Sequence, residues 1–184
     1  MRGKRRLRSA APVLVLCAAV AAGSWLLMPE ADRGLEEPTG ASRVPVKQAS
    51  ATVQHVVDGD TVYLMLDGKR TKVRLLNVDA PEIAHPDQRG ECFGQEAADF
   101  LAKKLPEGSK VELDFDSERL DQYGRTLAAL SRKGEFINET LVASGHATAM
   151  KVEPNMKFYK QLRAAQTQAE RSKKGMFDPA NGCT

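Results

Sequence analysis

The chain reads as an α+β protein, mainly β: a small closed five-stranded barrel with about three packed α-helices, preceded by an N-terminal signal or anchor segment. Three observations predict this. Short β-patterned runs are separated by Asp-Gly pairs, a single helical pattern follows the third run, and two more helical patterns lie near the C-terminus. The 184 residues suffice for one domain of ordinary size plus some extra, and 42% apolar with 28% charged residues are globular values. A wholly disordered chain and a polytopic membrane protein are both excluded.

Residues 51–57, 61–67 and 69–78 form three strands of a meander, with Asp58-Gly59 and Asp67-Gly68 as two-residue hairpin turns between them. Residues 93–105 follow as an amphipathic helix, with Ala97, Leu101 and Leu105 at four-residue spacing, ending before Pro106-Glu107-Gly108. Val111, Leu113 and Phe115 alternate with charged neighbours as a half-buried fourth strand. Residues 126–134 make the fifth strand, and residues 137–145 a short helix closed by Gly145. The last helix, from about Asn155 to Lys174, sets Phe158, Leu162, Ala165 and Ala169 on one face and stops at Gly175. This order fits the OB-fold, the five-stranded barrel of the oligonucleotide-binding type.

Five basic residues among the first eight precede nineteen uncharged residues, 10–28, the n-region and h-region of an export signal. As a helix this run is about 28 Å long at 1.5 Å per residue, so residues 1–28 are a signal peptide or an uncleaved membrane anchor. Cys17 follows Leu16 rather than a small residue, which argues against lipid modification. Residues 29–50 read as a linker, 51–178 as the folded domain and 179–184 as a C-terminal tail. The protein is therefore expected to be secreted or anchored to the outer face of the cell membrane, touching membrane only through the uncleaved leader, and to act as a monomer. In such an oxidising place Cys92 and Cys183 suggest a disulfide; the alternative is two unpaired thiols.

Of 27 basic and 24 acidic residues, seven and four fall in the first 46, which leaves 20 of each in the globular part. A uniformly basic nucleic-acid-binding surface is excluded, so phosphate must be met by a local cluster. In residues 73–82, Arg74 stands inside an apolar strand, where a guanidinium needs an anionic partner, and Asp79 and Glu82 flank Pro81 at the strand's end. Pro81 turns the chain away and leaves the Ala80 carbonyl available. Asp60, at the mouth of the second strand, joins Asp79 and that carbonyl as a hard oxygen set suited to calcium, with water completing the shell. His55, His85 and His146 are isolated in sequence, so neither zinc nor a redox metal is suggested. Tyr123 and Arg125 alternate around Gly124, bringing a ring and a second guanidinium to one side. Phosphodiester hydrolysis needs this combination of metal, two arginines for the charge on pentacoordinate phosphorus, and a carboxylate for water.

Residues 56–66, 73–82 and 121–130, in this order and spacing, resemble the staphylococcal nuclease (thermonuclease) family, over roughly residues 51–178. The resemblance implies a nuclease of the OB-fold, an endonuclease that uses Ca2+ to hydrolyse both DNA and RNA and leaves 3′-phosphates. It places the calcium ligands on Asp60, Asp79 and the Ala80 carbonyl, the catalytic glutamate on Glu82 and the phosphate-binding arginines on Arg74 and Arg125. Two departures accompany it. Gln122 stands where a lysine often assists a terminal phosphate, and residues 147–152 hold no tyrosine of the kind that lines the nucleotide pocket in the best-known members. Tyr123 is left as a contact to sugar or phosphate. Lys69, Arg70 and Lys72 either guide a strand or form a solvated hairpin face. The rival readings are a non-catalytic OB-fold module binding single-stranded nucleic acid at the cell surface, and a surface interaction domain with structural calcium.

Overall fold

The computed structural model describes residues 49–183; the leader, Cys17, the linker up to residue 48 and Thr184 lie outside the described residues. The barrel strands are β1 (Ala49–Val56), β2 (Thr61–Leu66), β3 (Lys69–Leu75), β5 (Lys110–Asp114) and β6 (Thr126–Arg132), with the short β4 (Val78–Asp79) between the third and fourth. Pairing runs β3-β2-β1-β5-β6, and β6 returns to β3 in parallel, which closes five strands into a barrel as expected. Closure removes the sheet edges and places Val53, Val62, Leu64, Val73, Leu75, Val111, Leu113 and Leu130 in the interior, each 1% exposed or less. The helices α1 (Gly94–Lys104), α2 (Ile137–Ala143) and α3 (Tyr159–Arg171) pack outside, and Leu101, Leu141 and Leu162 are fully buried. Among the described residues no helix is long and apolar enough to cross a membrane.

Several boundaries differ from the expectation. Asp67-Gly68 is the anticipated two-residue turn, both residues having positive φ (49° and 75°). Asp58-Gly59 is not: β1 ends at Val56 and β2 starts at Thr61, so four residues connect them, held by the Asp60 N–H donating to Asp58 Oδ1 at 3.0 Å. Gly59 is needed for closeness rather than for turning, since a Cβ there would lie 2.5 Å from Ala80 Cβ. The expected third strand, 69–78, breaks at Asn77, which takes φ 57°. Its buried Nδ2 donates to Met150 O at 3.1 Å and Asn155 O at 2.8 Å, and the chain continues as β4 against β8 (Thr148–Ala149). The fifth strand is likewise cut short by a tight turn, and β7 (Glu135–Phe136) folds back on β6.

The last helix begins at Tyr159 instead of Asn155, because Asn155 is committed elsewhere. Fully buried, it accepts from the Glu118 N–H at 2.8 Å and donates to the Glu118 carbonyl at 3.1 Å. Asn138 does similar work on α2, accepting from the Leu130 N–H and donating to the Leu76 carbonyl, both at 2.9 Å. These buried amides satisfy backbone groups where strands end, and so fix the loops around the β3–β4 corner.

Candidate active site

The β3–β4 corner is where the polar residues gather. Parallel pairing of β3 with β6 sets Arg74 opposite Leu127 and Val73 opposite Thr126, so the strand carrying Arg74 and the entry to β6, just after Arg125, run side by side. Both arginines line one cleft of about 170 Å³, floored by Leu75, Leu76 and Leu127 and walled by Met150 and Val152. Tyr123, 74% exposed, stands at its rim with Gln122.

The Arg74 guanidinium is held from four directions. Nη1 donates to the Val78 carbonyl at 2.5 Å and the Leu75 carbonyl at 3.1 Å, while Nη2 lies 2.9 Å from Asp60 Oδ2 and 3.2 Å from Asp79 Oδ1. The turn before β2 aims Asp60 inward: Oδ2 accepts the Ala80 N–H at 3.0 Å and Oδ1 accepts the Thr61 hydroxyl at 3.1 Å. Burial pushes the Asp60 carboxyl up to about 7, although Arg74 and the Ala80 N–H pull the other way. Asp79 is far more open, its side chain 55% exposed.

Arg125 is aimed by a residue that the sequence reading overlooked. Asp121 Oδ2 accepts from Arg125 Nε at 2.6 Å, and Oδ1 accepts the backbone N–H groups of Tyr123 at 2.9 Å and Arg125 at 2.8 Å. With Nε occupied, the two terminal nitrogens of the fork are left for a ligand. The visible signal was an Asp opening a Gly-containing turn, the pattern of an Asx turn. Burial opposes the charge on Asp121, but the Arg125 guanidinium and the two amides outweigh it and hold the carboxyl below its ordinary 3.8. A depressed folded value means stabilisation that is present above pH 3.8 and lost as pH falls through the lower folded value. Asp121→Asn should therefore show a shallower acid-unfolding profile below that pH, followed by circular dichroism. It should also lower kcat by about tenfold, since the guanidinium loses its anchor.

Glu82 sits on the exposed loop after Ala80. Its N–H donates to Glu91 Oε2 at 3.1 Å and its carbonyl accepts the Glu91 N–H at 2.8 Å, while its carboxylate has no hydrogen bond or ion pair among the described residues. The structure thus brings Asp60, Asp79, Arg74 and Arg125 to one corner, with Ala80 against Asp60, and leaves the Glu82 carboxylate on the adjoining loop. Cys92, at the far end of that loop, is bonded to Cys183 across a sequence separation of 91 residues.

A hard cation suits what is present. Two carboxylates within reach of one guanidinium nitrogen offer oxygen donors, and a dication would stabilise the buried Asp60 anion that desolvation opposes. Among the described residues no third acidic, His or Cys side chain joins them, so carbonyl and water oxygens must supply the other ligands. His55, His85 and His146 stay apart from this corner: His55 lies 3.4 Å from Glu107, His85 bridges to Gln88, and His146 stacks on Phe100.

Residues 72–178 match the model of the family described as staphylococcal nuclease homologue. The chain is 38% identical over 125 residues to a thermonuclease of Staphylococcus hyicus, covering 68% of this chain and 73% of the relative. It is 34% identical over 141 residues to a thermonuclease of Staphylococcus intermedius, covering 77% and 83%, and 33% identical over 155 residues to endonuclease YncB of Bacillus subtilis, covering 79% and 73%.

Proposed function

Given that the chain belongs to the staphylococcal nuclease family and is a nuclease, a hydrolase acting on nucleic acid, we propose that it is an exported, calcium-dependent enzyme that cleaves phosphodiester bonds of DNA and RNA and leaves 3′-phosphates. The observation that carries this reading is the shared cleft of Arg74 and Arg125 beside the Asp60 and Asp79 pair. The terminal nitrogens of Arg74 hold Asp60, Asp79 and the Leu75 and Val78 carbonyls, so Arg74 lends positive charge to the cleft. A phosphodiester beside it meets the free terminal nitrogens of Arg125, whose fork matches adjacent phosphate oxygens. As a water oxygen bonds to phosphorus, negative charge grows on those oxygens, and donors already in place stabilise it without reorganising. Glu82, exposed and unpaired among the described residues, orients the water or takes its proton. The P–O5′ bond then breaks with its electron pair going to the 5′ oxygen, which takes a proton from solvent water and leaves as a hydroxyl, and the phosphate stays on the 3′ oxygen. Asp60, Asp79 and the Ala80 carbonyl would hold the calcium, which supplies further positive charge at the phosphate. The apolar floor takes the sugar or base, and Tyr123 touches sugar or phosphate at the rim.

The protein is proposed to act as a monomer outside the cytoplasm, with residues 1–28 as signal or anchor, then a linker from residue 29 that ends where β1 (Ala49–Val56) begins rather than at residue 50, then the nuclease domain, and 179–184 as a tail tied back through Cys183. Incubation with single-stranded DNA or RNA, with calcium and then with chelator, tests the chemistry. Cleavage that stops on chelation, returns with calcium and yields 3′-phosphate ends is expected, and Glu82→Gln should lower kcat about a hundredfold or more. Cleavage that persists in chelator, or 5′-phosphate ends, would overturn the metal or the bond assignment. Binding without cleavage would favour a non-catalytic module.

A further inference from the structure

We infer that the outer face of the β2–β3 hairpin, from Arg74 through Lys72 to Arg70, is a binding track for the phosphodiester backbone of a single strand leaving the cleft. The inference rests on the nuclease reading and extends it to nucleotides beyond the one being cleaved. Strand alternation makes the face. β2 buries Val62 and Leu64 and β3 buries Val73 and Leu75, so Tyr63, Met65, Arg70, Lys72 and Arg74 take the opposite side. The register pairs Thr61 with Arg74, Tyr63 with Lys72 and Met65 with Arg70. Lys72 and Arg70 therefore follow Arg74 in file along one strand, about 6.8 Å apart at two residues per step, and lead away from the cleft that Arg74 lines. Successive phosphates of an extended strand repeat on a comparable scale.

The file is also pre-set. Arg70 Cζ lies 3.8 Å from the centre of the Tyr63 ring and Lys72 Nζ lies 6.0 Å from it. Tyr63 holds the Arg70 guanidinium over the sheet, so less side-chain freedom is lost when a phosphate binds. Because Arg70 covers that ring, Tyr63 is a positioning residue here and not a platform for a base. On the other flank the register puts His55 beside Tyr63, and the carboxylate facing that edge, Glu107, lies 3.4 Å from His55. Arg74 and Arg125 are each paired with carboxylates, whereas among the described residues Arg70 and Lys72 are in no ion pair. In a globular part with equal numbers of acids and bases, such a file is the local cluster that a polyanion would find.

The test compares the parent with Arg70→Gln/Lys72→Gln. Fluorescence anisotropy with a labelled oligothymidylate of about 16 nucleotides is read in chelator, across a range of salt. The double variant should bind about tenfold more weakly at low salt, and its log–log salt slope should shrink by about 1.4, at 0.7 for each phosphate no longer neutralised. Lys72→Gln alone should remove about 0.7 of the slope, which keeps the test alive where the double variant folds poorly. Tyr63→Leu should weaken binding a few-fold with the cations still present. In calcium, the ratio of kcat/KM on the oligonucleotide to that on a mononucleotide p-nitrophenyl phosphodiester should fall about tenfold, through KM. Unchanged affinity and slope in a folded variant would overturn the track whether or not the protein cuts DNA. A parent that binds with the expected slopes and never cleaves would overturn the nuclease reading and leave the track standing.

Discussion

Arg125→Ala is expected to cleave DNA roughly a hundred- to a thousandfold more slowly than the parent while keeping nearly the same thermal midpoint. The two halves of this expectation come from different contacts. Arg125 contributes little to the fold: its side chain is 30% exposed, and its one ion pair among the described residues is to a neighbour four residues away. Once it is gone, Asp121 still accepts the Tyr123 N–H and the residue-125 N–H, so the turn keeps its hydrogen bonds. What disappears is a donor fork lining the cleft. Arg74→Ala is a less discriminating experiment, because Arg74 also satisfies the Leu75 and Val78 carbonyls and neutralises Asp60 and Asp79. That variant should lose stability along with rate, for a buried carboxylate left without its cation is costly. Arg125→Lys restores the charge but not the fork, and one ammonium cannot both hold Asp121 and span two phosphate oxygens. Its kcat should stay more than about tenfold down. Steady-state kinetics on single-stranded DNA, with unfolding curves alongside, check all three. An Arg125→Ala protein that cuts at the parent rate would sink the assignment.

The parts of this molecule legible in its sequence are those with local causes. Strand alternation is set by neighbours two residues apart and the helical faces by neighbours three and four apart. Asp67-Gly68 is a turn because its own two residues accept positive φ. Where the reading differed, a distant partner decided. The run 69–78 carries a strand pattern as far as Val78, and it breaks where Asn77 reaches carbonyls 73 and 78 residues away. Gly59 looked like a turn glycine, yet its constraint is the closeness of Ala80 and Ala97. The last helix starts late because Asn155 caps a loop 37 residues upstream. The same division holds at the candidate site. That Arg74 required an anion could be seen from its apolar strand, but that two carboxylates would share it could not. It depends on how the turn before β2 and the β3–β4 corner meet. The convergence of Arg74 and Arg125 depends on a parallel β3–β6 pairing that no short window contains. Asp121 is the opposite case, since its cause is local and its Asx turn was there to be read.

Reduction of the Cys92–Cys183 bond should produce the largest stability change. The bond closes a sequence separation of 91 residues, for which the chain-entropy model gives roughly 4 kcal/mol or a little more as a ceiling. For a domain of this size that corresponds to a fall in Tm of about 10 °C or more. Location adds a second effect. Cys183 lies just beyond the short turns Gly175–Phe177 and Pro179–Asn181, and Cys92 adjoins Glu91, whose N–H and carboxylate both bind the Glu82 backbone. The staple thus ties the C-terminal segment to the loop that carries the proposed catalytic carboxylate. Losing it should loosen that loop and lower kcat several-fold at temperatures where the barrel is still folded. Thermal melts with and without reductant, on the parent and on Cys183→Ser, separate the bond from side effects of the reagent. The parent in reductant should match the serine variant, and that variant should not respond to reductant. A parent Tm indifferent to reductant would mean that the barrel carries its stability alone. Structural bonds of this kind form and persist mainly where the surroundings are oxidising. If both expectations hold, the nuclease reaches full stability and full rate only with this bond formed, and in a chain exported as proposed that would tie export to the onset of activity.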